Sequence, residues 1–175
     1  MTPLRKIIVF LIFTFLSFQT FLKAEVPYYV DFKLILNESE AGKKAQNFLK
    51  NKLENGIKSI KDKEKKLQEE EKKIIQQKKV ISAEEYKKQV TNLRKDVSKL
   101  QKERSQLLES IAKQRSKARN TLLKNLNPVI SDYMKEKKIR MVIDKKSILL
   151  ADENLDITKD IMKALNLKLK SINLN

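Results

Sequence analysis

The chain has 175 residues, and its 39 lysines and arginines outnumber 22 acidic residues to give a formal net charge of +17. With no cysteine, no histidine and only two glycines, it excludes disulfides, thiol chemistry, the usual general base and a phosphate-cradling loop. Carboxylates remain, but the chain is poorly supplied for a pocket; an enzyme is the class that fits least, and no catalytic residue, cofactor or metal site is expected.

The first 24 residues bear on the compartment. Arg5 and Lys6 form a basic head, Ile7 to Leu22 ("IIVFLIFTFLSFQTFL") carries no charge, and Ala24 is small. That layout is a cleavable secretory signal. As a helix the uncharged run would span about 24 Å, less than a hydrocarbon core of about 30 Å. Cleavage is therefore expected over a retained anchor, and the rest of the chain is expected outside the cytoplasm. Loss of Arg5, Lys6 and Lys23 leaves 36 basic against 22 acidic residues, about +14. Such a charge attracts polyanions, acidic proteins or an anionic membrane surface. Nucleic acid is not an expected partner, because an exported protein rarely meets its genome.

Next comes "VPYYVDFKLIL", Val26 to Leu36, whose β-branched and aromatic residues predict a strand after Pro27. Asn37 or Ser39 can then cap a helix with acidic residues in its first turn.

From Ile57 to Asn127 there is no glycine and no proline. Leu53, Ile60, Leu67, Ile74 and Ile81 recur every seven residues, with Ile57, Glu64, Glu71 and Lys78 as companions. After Ser82 a second seam runs through Tyr86, Val90, Leu93, Val97 and Leu100, then Arg104, Leu107 and Ile111. Alternating steps of four and three mark a coiled coil. The two halves are out of phase, since sevens counted from Ile81 fall on Lys88 and Lys95. Ser82 with Glu85 also reads as a capping box. A cap within a helical run starts a new helix. The two halves are therefore predicted to fold back as an antiparallel hairpin, in preference to one continuous rod.

Pro128 predicts a kink or a fresh first turn, followed by a face of Val129, Ile130, Tyr133 and Met134. "KIRMVIDKKSILLAD" predicts two short strands, Ile139 to Asp144 and Ser147 to Ala151. The last helix, capped by Asp156 or Thr158, presents Ile157, Ile161, Met162, Leu165 and Leu169. The expected class is α+β, mostly α: a long antiparallel coiled-coil hairpin projecting from a small β-strand body. The expected division is a leader (1–24), the start of the body (25–42), a descending helix (43–81), an ascending helix (82–126), and the rest of the body (127–175). A body of roughly 70 residues with open strand edges is marginal alone, so it is expected to oligomerise. The strand residues expected to carry association are Tyr29, Val30, Phe32, Met141, Val142, Ile143 and Leu149.

The two ends resemble the Skp (OmpH-like) family. "YYVDFKLILNESEAGKKAQ" is similar to the family's mature start. "RMVIDKKSILLADENLDITKDIMKAL" is similar to its end, where a V-[IV]-D strand and a D-I-T helix opening follow one another. The resemblance covers residues 25–170. It implies a periplasmic holdase for unfolded outer-membrane proteins, working without ATP, metal or cofactor. It also implies a homotrimer with a β-barrel body and three helical tentacles. Some family members are proposed to bind lipopolysaccharide on the tentacles. Candidate lysines here for client, anionic lipid or lipopolysaccharide contact are Lys72, Lys73, Lys78, Lys79, Lys87 and Lys88. Two other readings stand: a coiled-coil spacer tethered to the inner membrane by residues 7–22, and a binder of lipopolysaccharide or another polyanion.

Overall fold

The computed structural model describes residues 26–174; the expected leader over 1–24 lies outside them. Strand β1 is short, Tyr28–Val30. The predicted strand does not continue to Leu36, because Asp31 caps a helix: its side chain accepts the Leu34 N–H at 2.8 Å, and α1 runs over Phe32–Glu38. Phe32, Ile35 and Leu36 have helical spacing, and all three turn toward the body core.

Ser39 then does what its type predicts. It caps α2, Glu40–Gln77, by accepting the Gly42 N–H at 3.2 Å. This helix of 38 residues is about 57 Å long. Lys78–Ser82 reverse the chain, with Val80 and Ile81 donating back to the Gln77 carbonyl at 2.9 and 3.1 Å. Helix α3, Ala83–Lys137, begins on Ser82, whose hydroxyl accepts the Glu85 N–H at 3.2 Å. The hairpin and its capped second arm are therefore as the phase change predicts.

Pro128 does not restart a helix. Helix α3 passes through it without interruption. The proline removes one hydrogen bond, but Leu122, Leu126, Val129 and Ile130 on either side are all buried in one cluster. Packing of that face holds the helix together across the missing bond. Lys138, in the left-handed region at φ 56°, ends it, and the Ile139 N–H returns to the Met134 carbonyl at 2.8 Å.

Strand β2 is Val142–Asp144, shorter than predicted, and pairs in parallel with β1: Tyr28 with Val142, Tyr29 with Ile143, Val30 with Asp144. The second predicted strand, Ser147 to Ala151, is absent. Lys145–Ser147 form one 3₁₀ turn instead, with Asp144 accepting the Lys146 N–H at 3.2 Å. Ile148 to Asp152 then lie outside any ladder, since no strand among the described residues runs beside them. A second 3₁₀ turn, Glu153–Leu155, leads to α4, Thr158–Lys168.

The D-I-T opening of α4 works as a knot between elements. The Asp31 N–H donates to Thr158 Oγ1 at 2.8 Å, and the Thr158 N–H donates to Asp156 Oδ1 at 2.9 Å. Lys145 Nζ reaches Asp156 at 3.3 Å while lying 5.8 Å above the Tyr29 ring. Burial would raise the Asp156 pKa, but the Thr158 hydrogen bonds and Lys145 outweigh it, and the carboxyl is held below its ordinary value. Nearby, burial and then the hydrogen bond to Asp160 push the Tyr133 phenol up to about 12.

Two apolar clusters result. The body cluster centres on Val30, Ile35, Leu126, Ile161 and Leu165. The second, at the arm root, is Ala45, Leu49, Ile111, Ala118 and Leu174. Ile172 packs against both.

Candidate functional site

Heptad spacing dictates how the arms meet. Ile60, Ile74, Leu100 and Ile111 are buried, while Leu53, Leu67, Leu93 and Leu107 are partly covered. Of the intervening positions, Ile57 and Val97 are exposed although the heptad places them on the seam, and one charged pair is joined across it. Arg104, the intruder in the second stripe, lies 3.7 Å from Glu64, a charged companion in the first. Beside them Lys63 meets Glu103 at 2.5 Å. Hydrogen bonding to Lys63 outweighs burial and holds Glu103 below the usual carboxylate range.

The Glu64–Arg104 pair is half exposed, and such pairs contribute about 0–1 kcal/mol. Leucine at both positions would add a buried apolar pair in its place. The Glu64→Leu, Arg104→Leu double variant is therefore expected to raise the thermal midpoint by about 2–4 °C. Hydrogen exchange between Ile60 and Leu107 should slow; unchanged exchange would show that the pair already locks the arms.

Past this point the seam opens. A groove of about 640 Å³ lies between the distal arms, floored by Leu67, Ile74, Tyr86, Val90 and Leu93, with Glu71 and Arg94 also lining it. Ile75, which also lines it, is 60% exposed, and Val80 in the turn is 83% exposed. Sequence periodicity did not single these two out, because neither sits on the seam.

All six predicted lysines are exposed and lie within ten residues of the reversal: Lys72 and Lys73 on the last turns of α2, Lys78 and Lys79 in the turn, Lys87 and Lys88 on α3. Lys78 Nζ lies 5.8 Å from the centre of the Tyr86 ring. The tip thus combines a cationic rim with exposed aliphatic side chains.

The residues expected to mediate association separate into two groups. Tyr29, Val30, Val142 and Ile143 are in strands, whereas Phe32 is on α1, Met141 precedes β2, and Leu149 lies in the unpaired segment. Tyr29 and Val30 are buried in the body of their own chain. Strand β1 is flanked on both sides, by β2 and by a bridge from Tyr29 to Asp156. Among the described residues the unpaired edge belongs to β2. Near it in sequence, Leu149 is 100% and Leu150 91% exposed. Leu150 was missed as a candidate, although the Leu-Leu pair in a short polar-flanked run carried the signal.

Among the described residues no cluster of three acidic side chains could hold a metal ion. No helix among them is long and apolar enough to cross a membrane.

The family model for outer membrane proteins of the OmpH-like type matches residues 28–165. No curated protein matches the chain. Among solved structures, the chain is similar to a candidate outer membrane chaperone (OmpH-like) from Caulobacter crescentus CB15. The identity is 19% and the TM-score 0.78, over 85% of this chain and 89% of that one. At this identity the likeness is one of fold.

Proposed function

The chain belongs to the OmpH-like family, and we propose that it is a periplasmic holdase chaperone that keeps unfolded outer-membrane barrel proteins from aggregating. Family membership over residues 28–165 is the observation that carries this reading. In it, residues 1–24 are removed on export. Residues 25–42 and 127–175 form the body, and 43–81 and 82–126 the two arms.

The physical chemistry supports the assignment. A barrel strand alternates apolar and polar residues, so an unfolded client exposes many small apolar patches. About +14 of net charge draws an acidic client in from a distance, less so as salt rises. Apolar floors, exposed aliphatic side chains and lysine stems then supply many weak contacts. Weak contacts suit release without ATP. Chains associate through the open β2 edge and the Ile148–Asp152 segment, and a homotrimer would enclose a cavity between three hairpins.

The test is a refolding assay followed by light scattering, with the oligomer mass measured in parallel. An unfolded barrel protein should stay soluble at low salt with the chain present. A monomeric chain that leaves the client to aggregate would sink the proposal. The variant carrying Lys78→Glu, Lys79→Glu, Lys87→Glu and Lys88→Glu should capture clients about tenfold more slowly at low ionic strength, with its mass unchanged. Equal capture rates would reduce these lysines to solubilising charge.

A further inference from the structure

Beyond Lys168 the chain leaves α4 and runs back along the arm root. Lys170 Nζ meets Glu40 at 3.1 Å, and Leu174 is only 4% exposed. Its seat lies between Ala45 and Leu49 of α2 and Ile111 and Ala118 of α3. Small residues from both arms leave room there for a side chain from outside the hairpin.

The seat includes a polar reader. Gln114 Nε2 donates to the Leu174 carbonyl at 2.6 Å. Lys52 Nζ, from the opposite arm, donates to Gln114 Oε1 at 3.0 Å and to Ser110 Oγ at 3.4 Å. The lysine thereby holds the carboxamide with its N–H donors facing the tail. Such a site asks for one aliphatic side chain and one backbone carbonyl on an extended segment, and little else.

Leu174 is the tail's one buried side chain; Leu169 and Ile172 are partly buried, the Lys170–Glu40 pair is exposed, and Asn173 has a contact of its own, all against the ordering of six residues. The tail also lies outside the stretch matched to the family, which ends at residue 165.

We propose that the arm-root seat is a peptide-binding site, that residues 169–174 are its resident occupant, and that an extended client segment bearing an aliphatic residue displaces them. The identity of the incoming segment rests on the holdase reading; the seat itself does not.

The probe is a fluorescently labelled synthetic peptide of residues 169–175, read by anisotropy against the full chain. Leu174→Asp should unseat the chain's own tail without altering helicity. The peptide should then bind about tenfold more tightly than to the parent chain, and adding Gln114→Ala should remove that gain. An unfolded barrel protein should displace the bound peptide. A second variant, Ala118→Leu, fills the seat from beneath: tail exchange should quicken and the peptide should not bind. A peptide that binds parent, Leu174→Asp and Ala118→Leu chains alike, or none of them, overturns the site. A bound peptide that the client cannot displace overturns the exchange. A parent chain that fails to keep the client soluble sinks the holdase reading and leaves the peptide result standing.

Discussion

Replacing Leu149 and Leu150 together by aspartate is expected to break the proposed association and leave monomers that no longer protect an unfolded barrel. Both side chains are almost wholly in solvent within one chain. They occupy a segment with no ladder partner, beside a strand with an open edge. Full burial of a leucine contributes about 1.5–3 kcal/mol, so covering both contributes about 3–6 kcal/mol per chain. Aspartate removes that term and adds two charges that resist desolvation. A loss of about 4 kcal/mol weakens association about a thousandfold. Sedimentation velocity at micromolar concentration reads the result directly. The parent mass retained by the double variant would move the interface elsewhere, and a parent chain that is itself monomeric would remove the premise. Helicity should not change, because neither side chain is part of the body core.

The second large effect is expected at Gly42. No described glycine has a positive φ, so this one is required for space and not for an unusual backbone conformation. A methyl group there would run into the Leu36 carbonyl oxygen, and it would lie 2.9 Å from Ser39 Oγ. The first obstacle is backbone. It can yield only if α1 moves, and α1 is fixed by Ile35, which is completely buried. Gly42→Ala is expected to cost about 2–4 kcal/mol, despite alanine's advantage of about 1 kcal/mol in a helix. Gly56→Ala is the control. Its methyl would meet Leu107, with the nearest atom at 2.5 Å, and that atom ends a side chain able to change rotamer. The two terms there oppose each other, and the net change should stay within about 1 kcal/mol. Urea midpoints followed by circular dichroism decide the matter. Equal losses at both positions would mean that α1 accommodates the methyl group.

The hairpin was legible in the sequence because two independent signals agree at Ser82. The apolar period changes phase there, and the residue is a competent cap. Both depend on local chemistry, which a sequence displays. The misread elements depend on something else. In "VPYYVDFKLIL" the β-branched and aromatic content outweighed Asp31, yet that single carboxylate ends the strand and starts α1. At Pro128 the local rule predicts a break, but four buried side chains straddling it belong to one distant core. "SILLA" has a strand's composition and no partner within the described chain, so composition alone could not say whether a ladder forms. At the candidate site, the tip lysines were evident as a charge run. The seat for Leu174 was not, because it needs Ala45, Gln114 and Ala118 brought together by the antiparallel pairing of arms.

Continuity of α3 through Pro128 has a mechanical meaning. Of the two helices of the hairpin, one is a single beam about 82 Å long whose base forms part of the body core. The other is a strut pinned at the tight Ser39–Gly42 joint. Side load at the tip is therefore carried to the body mainly along α3. The weakest turn of that beam is the one where Lys124 loses its bond to Pro128. Deflection of the hairpin will concentrate there, at the shoulder, while the joint at Gly42 keeps its geometry.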